Sequence, residues 1–372
     1  MELETVRTEI PALDRCRYLN WGASGPSPRN VVDAAHEFEK QHQYTAPCEE
    51  GMYAVPEETL ATTRETVGEF IGAAADEIAL TRNTVEGINH VATALDWEPD
   101  DTVVHTDLEH PAGELPWALM RDRHGIEIAQ LETNRGRLDL DTVKDTVGEA
   151  RLVCLSSLSW NFGTRLPVGE VVDIAHDAGA KVLVDAVQSV GQESVDVRDW
   201  GADFVAASGH KWLLGLWGSG FLYVDEDTLA DLTPGRIGYF SVDKDETDGL
   251  EYTFRDDAQR FELGTTAVSQ YAALTEAIET ATAVGIDTVE ARIAELADRL
   301  RDGLGASLLS PEDARSGLVT FAADDPEAVV DRLSEEGVQI RSLPEPDACR
   351  VSVHAYNTAE DIDRLLEILQ ED

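Results

Sequence analysis

Lysine is scarce in this 372-residue chain: Lys40, Lys144, Lys181, Lys211 and Lys244 are all there are. Lys211 stands apart, set in Ser208-Gly209-His210-Lys211-Trp212-Leu213-Leu214-Gly215 among apolar residues. Desolvation lowers the pKa of an amine in such a place and makes it nucleophilic, fit to form a Schiff base with a carbonyl. The plain alternative is a solvated surface lysine. Asp185 closes the apolar run Lys181-Val182-Leu183-Val184-Asp185. A buried acid is costly without a cation or donors to meet it, so Asp185 either caps a following helix or pairs with a protonated ring nitrogen. Pyridoxal phosphate calls for both residue types, because its protonated pyridine ring is an electron sink. Gln188, one short turn on, could reach the ring hydroxyl. Phosphate binds at helix N-termini with free backbone N–H groups. Arg82-Asn83-Thr84-Val85-Glu86-Gly87 supplies one, with Thr84 at the cap and Val85 after it. The same pattern also serves as a simple cap. Ser208 and His210 flank Lys211 and could donate to that phosphate. His110 could stack on a flat ring or be an ordinary hydrogen-bonded loop histidine.

These residues need elements to bring them together. Strand-length apolar runs at 77–80, 102–105, 126–130, 151–155, 181–185, 203–206 and 220–224 alternate with helical patterns at 56–71, 85–94, 113–123, 139–147 and 168–178. That alternation predicts βαβ units, hence an α/β fold with a mainly parallel sheet covered by helices on both faces. Ligands bind such sheets at the carboxyl ends of the strands. Thr84, His110 and Lys211 follow predicted strands, and Asp185 ends one. Between 235 and 257 the periodicity fails and charge rises, which reads as loop. Long helices at 267–284 and 287–304 follow. Then come short elements at 317–321, 326–336, 338–341, 350–353 and 359–370. This predicts a large domain over 18–257 and a smaller C-terminal α/β domain over 258–372, with 1–17 packed nearby.

Composition narrows the function classes. Against 29 basic residues stand 73 acidic ones, a formal charge of −44 spread along the chain. Such a chain is repelled by phosphate backbones and anionic lipid, so neither nucleic acid nor a membrane surface is an expected partner. Acid-rich, lysine-poor composition resembles proteins of salt-loving organisms. Cys16, Cys48, Cys154 and Cys349 are scattered with no CxxC pair, so no metal site is expected and the thiols read as reduced. The N-terminal residues carry no basic and apolar leader pattern, and no apolar run reaches ~18 residues. A cytoplasmic location is the expectation.

Seven pieces in order carry a resemblance: residues 20–26 (Asn-Trp-Gly-Ala-Ser-Gly-Pro), 82–89 (Arg-Asn-Thr-Val-Glu-Gly-Ile-Asn), Glu109-His110, 185–188 (Asp-Ala-Val-Gln), 208–212 (Ser-Gly-His-Lys-Trp), 261–265 (Phe-Glu-Leu-Gly-Thr) and 350–358 (Arg-Val-Ser-Val-His-Ala-Tyr-Asn-Thr). From about residue 18 to the C-terminus the set resembles the class V aminotransferase family, which includes cysteine desulfurases, selenocysteine lyases and isopenicillin-N-epimerase-like proteins. The resemblance implies the fold type I architecture of pyridoxal phosphate enzymes: a large domain around a mainly parallel seven-stranded sheet, a smaller C-terminal domain, and a homodimer with active sites at the interface. It makes Lys211 the Schiff-base lysine, Asp185 the partner of the pyridine nitrogen, Gln188 a contact of the ring hydroxyl and His110 the stacking residue. Thr84, Val85, Ser208 and His210 would hold the phosphate, joined by Thr265 from the other subunit. Arg350 would bind the carboxylate of an amino acid substrate, with Ala23 and Asn161 beside it.

The chain departs from that pattern in places. Where many relatives have Ser-Asn-x-x-Gly-Thr, it reads Ser159-Trp160-Asn161-Phe162-Gly163-Thr164, with the asparagine one place late. The turn after the lysine is Gly215-Leu216-Trp217-Gly218, where a proline is usual. Between Arg341 and Arg350 desulfurases carry a longer segment with a mobile cysteine; here it is short, and Cys349 directly precedes Arg350. The expected function is therefore an aminotransferase. The alternatives are a desulfurase-like or selenocysteine-lyase-like lyase, or an epimerase, without a mobile cysteine, and a non-catalytic dimeric binding protein that keeps the fold.

Overall fold

The computed structural model describes residues 1–371. Its strands, in chain order, are β1 (Arg17–Tyr18), β2 (Ile78–Thr81), β3 (Thr102–Thr106), β4 (Glu127–Leu131), β5 (Leu152–Ser156), β6 (Lys181–Asp185), β7 (Phe204–Ser208), β8 (Gly220–Val224), β9 (Leu318–Phe321), β10 (Val338–Gln339), β11 (Arg341–Pro344) and β12 (Asp347–Ser352). Seven of them form one sheet in the order β2-β8-β7-β6-β5-β3-β4. The pairs from β4 to β7 are parallel, and only β8 runs against its neighbours. The expected α/β fold with a seven-stranded, mainly parallel sheet is what the chain forms.

Side chains along a strand alternate between the two faces, and here both faces are buried. Leu152, Cys154, Leu183, Phe204 and Ala206 face the helices Thr84–Ala94 and Pro111–His124. Val153, Leu155, Val182, Val184 and Val205 face the other layer, which includes the helices Ala54–Ile71, Val168–Asp177 and Val268–Val284. Continuous apolar runs in the sequence are the signature of strands covered twice. The longest helix not among those expected from the sequence is Arg29–Lys40, whose buried Val31, Ala35 and Phe38 recur at helical spacing against Val268–Val284.

A second, antiparallel sheet has the order β11-β12-β9. The run 338–341, expected as one strand, divides at the buried Ile340. β10 pairs in parallel with β1, whereas β11 folds back on β12. The chain after β1 then bridges to the end of β12 at Asn20–Ser352, which carries residues 20–26 from the small sheet to the turn after β7. No helix among the described residues is long and apolar enough to cross a membrane.

Candidate active site

The carboxyl ends of β3, β5, β6 and β7 open onto a cavity of about 350 Å³. Ten residues singled out from the sequence line it: Ala23, Thr84, Val85, His110, Asp185, Gln188, Ser208, His210, Lys211 and Arg350. Asn161 and Thr265 do not. The peptide after Trp160 turns Asn161 away from the cavity lining, where its carbonyl accepts from Thr320 Oγ1. Trp160 takes the place on the wall that the sequence suggested for Asn161. Thr265 is exposed on its own chain, and its N–H donates to Tyr239 Oη (2.9 Å). A larger hollow, about 570 Å³, lies near the C-terminal helix and has neither lysine nor histidine in its lining.

Lys211 sits in a turn that follows β7, where its carbonyl accepts from Leu214 N–H (3.2 Å). Leu214 has a left-handed backbone (φ 61), a strained state for a branched residue that tight packing must hold. The 20–26 segment supports this turn from the other side: Gly25 N–H donates to His210 O (2.8 Å), and a Cβ at Gly25 would lie 2.3 Å from the Lys211 carbonyl oxygen. Burial pushes the Lys211 amine down to about 8; Asp185 opposes this, while Arg350 and Arg341 add to it. Asp185 is pushed above the usual carboxylate range by burial, partly relieved by Val187 N–H, which donates to Oδ1 (3.0 Å), and by Lys211.

The end of the cavity expected to take phosphate lies at the start of helix Thr84–Ala94. Its cap is Asn83, one residue before the expected Thr84: Asn83 Oδ1 accepts from Glu86 N–H (2.9 Å). Thr84 is thereby left as the first helical residue, its N–H donating to Ser208 Oγ (2.8 Å) and its hydroxyl within 2.7 Å of the same atom. His210 borders this corner, tilted over Trp217 at 5.3 Å, and burial pushes its imidazole down to about 4. His110 is likewise pushed down to about 4, chiefly by burial, so both rings are neutral near pH 7. His110 Nδ1 accepts from Ala112 N–H (3.2 Å), which leaves the proton on Nε2, and the ring meets Trp160 edge-on at 5.2 Å. Gln188 is held at both ends: Trp212 Nε1–H donates to its Oε1 (2.8 Å) and its Nε2 donates to Gly22 O (3.0 Å). That amide nitrogen has a second N–H with which to donate.

The opposite wall carries two arginines. Arg350 is only 1% exposed; its Nη1 donates to Trp160 O (2.8 Å), whereas Nε and Nη2 are buried without a partner. Each unmet buried donor costs about 1–3 kcal/mol, so the guanidinium is set for an anion. Burial, and next Arg341, pushes it down to about 9. Arg341, to which the sequence alone gives no role, lies directly across from Arg350 in the β11–β12 pairing and also lines the cavity. The detectable signal is the hairpin: strand alternation on both sides of Glu345-Pro346 puts residues 341 and 350 on one face.

No cysteine among the described residues lines the cavity. Cys349 is fully buried in the core of the small sheet, its Sγ contacts Pro326 O (3.5 Å), and burial pushes its thiol up to about 12. Cys154 lies inside the large sheet.

Comparison with known proteins decides the family. The model for class V aminotransferases matches residues 17–365.

The chain belongs to the class V aminotransferase family.

Its named relatives within that family point to sulfur chemistry. A probable cysteine desulfurase of Methanothermobacter thermautotrophicus is 35% identical, the alignment covering all of this chain and 98% of that protein. The apo cysteine desulfurase of Thermococcus onnurineus superposes with a TM-score of 0.92 at 28% identity, over 99% of this chain and 97% of that one. The cystine C–S lyase C-DES, solved with its reaction product cysteine persulfide, superposes with a TM-score of 0.91 at 28% identity, over 97% and 98%. A variant of C-DES has been solved with glycine covalently linked to its pyridoxal phosphate cofactor. These relatives are named cysteine desulfurases and a C–S lyase, which moves the weight away from the plain aminotransferase expected from sequence.

Proposed function

We propose that this chain is a pyridoxal phosphate-dependent lyase that breaks a carbon–sulfur bond in an amino acid bearing two carboxylates, cystine being the simplest. The observation that carries this reading is the wall of the cavity: two facing arginines and no thiol. A desulfurase that stores sulfur on itself needs an exposed, mobile thiolate, and Cys349 is buried, raised in pKa and directed away. Two guanidiniums suit two carboxylates, each a charge-assisted pair.

The cavity fits the cofactor. Lys211 is the buried amine, Asp185 is a buried acid at the end of β6, and Thr84, Val85, Ser208 and His210 offer phosphate donors at a helix N-terminus. The neutral His110 ring borders the cavity. Bound there, pyridoxal phosphate supplies an electron sink for the bond-breaking carbanion. Asp185 holds a proton on the ring nitrogen side, and Gln188 offers its second N–H to the ring hydroxyl. Lys211, lowered toward neutrality, takes the proton from the substrate α-carbon and can return it. Arg350 directs Nε and Nη2 to the α-carboxylate, and Arg341 takes the distal one. With cystine and one water, the products are cysteine persulfide, pyruvate and ammonia. The electron pair of the broken C–S bond leaves on the persulfide sulfur, and no external oxidant or reductant is needed. Thr265 of a second copy would complete the phosphate cradle, in keeping with a homodimer. Residues 18–257 would then be the cofactor-binding domain and 258–372 the smaller one.

Incubation of the holoenzyme with L-cystine, L-cysteine and a panel of amino acids with keto acid acceptors tests this. Pyruvate and small-molecule persulfide from cystine, faster than any product from cysteine, are expected. Amino transfer to a keto acid without sulfur release would return the protein to the aminotransferases.

A further inference from the structure

Behind the cavity wall lies a carboxyl group with no part in the chemistry above. Glu109 is buried in the loop that follows β3. Its Oε1 accepts from Thr106 Oγ1 (2.6 Å) and Ser156 N–H (3.0 Å), and its Oε2 accepts from Ser156 Oγ (2.7 Å). Thr106 and Ser156 are the last residues of β3 and β5. The ladder between those parallel strands ends at His105–Cys154, and Glu109 supplies the next cross-link. Burial works against a charge here and pushes Glu109 up to about 7, against the pull of its three hydrogen bonds. An apolar side chain would avoid that cost, so the carboxyl is explained by what it holds.

It holds two parts of the cavity. Ser156 is itself a lining residue, opposite Asp185 in the β5–β6 register. The residue after Glu109 is His110, whose ring is fixed on its other sides by Ala112 N–H and by Trp160. We propose that Glu109 is a positioning residue: its carboxyl joins the ends of β3 and β5 and thereby sets the His110 ring and the Ser156 rim against the cofactor. This rests on the reading that the cavity takes pyridoxal phosphate.

The test compares Glu109→Ala, Glu109→Gln and Thr106→Val holoenzymes by steady-state kinetics and by the visible circular dichroism of the bound cofactor. Glutamine keeps the acceptor for Thr106 and Ser156 N–H and can donate to Ser156 Oγ. Misplacement of a catalytic group by about 1 Å costs up to ~100-fold, so Glu109→Ala should retain cofactor but lose about 10- to 100-fold in kcat, with KM moving less than about threefold and an altered dichroism band. Thr106→Val should show the same change in smaller measure, which keeps the test open should the alanine variant not fold. Glu109→Gln should recover to within about threefold of wild type. Wild-type kcat and dichroism in Glu109→Ala, or a glutamine variant as impaired as the alanine one, would overturn the proposal. A wild-type protein that binds no cofactor would overturn the functional reading, and this inference with it.

Discussion

Lys211 and Arg350 are cations held where burial disfavours charge, and the two respond differently. The lysine is brought down to about 8 and can give up its proton near neutrality; the arginine stays charged and keeps two donors unpaired. That difference supports the proposed roles, proton transfer for the first and anion recognition for the second. The sign of the lysine shift gives a pH prediction. Attack on the cofactor aldehyde needs the neutral amine, whose share grows with pH, reaches half at about 8 and levels off above that. Uptake of pyridoxal phosphate by the apoprotein, followed by absorbance, should show that profile, and borohydride should fix the cofactor on Lys211. A rate that keeps climbing toward the ordinary lysine value of 10.5 would show a solvated amine instead. Lys211 was legible in the sequence because lysine is rare and its neighbours are apolar. Trp160 was not, because which of two adjacent residues faces a cavity depends on the backbone of one loop.

The proposed chemistry turns on the β11–β12 hairpin. Its turn is only two residues, Glu345 and Pro346, between Pro344 and Asp347. So tight a turn leaves no span for a mobile thiol. Alternation then places Arg341 and Arg350 on the cavity face and Cys349 in the core. Arg341→Gln should raise KM for cystine about tenfold or more while changing kcat far less, since a charge-assisted bond to carboxylate contributes about 1.5–3 kcal/mol. Equal KM values in the two proteins would remove Arg341 from the substrate site. The shortness of this segment was visible in the sequence. Its pairing was not, because 338–341 is evenly strand-like and the switch of partner at Ile340 is a tertiary event. The strands of the large sheet were the readiest to read, being apolar on both faces, and their ends differ from the expected ones by two residues at most.

Across the whole molecule, charge is the largest influence outside the site. At −44 the folded chain repels itself. Screening shortens the reach of that repulsion from ~10 Å at 0.1 M salt to ~3 Å at 1 M. The melting temperature should therefore rise with potassium chloride, and a flat or falling curve in a thermal scan would show that the ion pairs matter more than the net repulsion. The same charge makes the arginine-lined cavity an exception on an acidic molecule, a place where the two carboxylates of the proposed substrate would meet cations. The most direct measurement of what happens there follows the sulfur. During turnover of L-cystine, and separately of L-cysteine, the intact mass of the holoenzyme is recorded while small-molecule persulfide is trapped in the medium. We expect persulfide in solution from cystine and a protein mass that does not change. A protein that gains one sulfur on a cysteine while L-cysteine is consumed would contradict the reading and make it a desulfurase that carries sulfur on its own thiol.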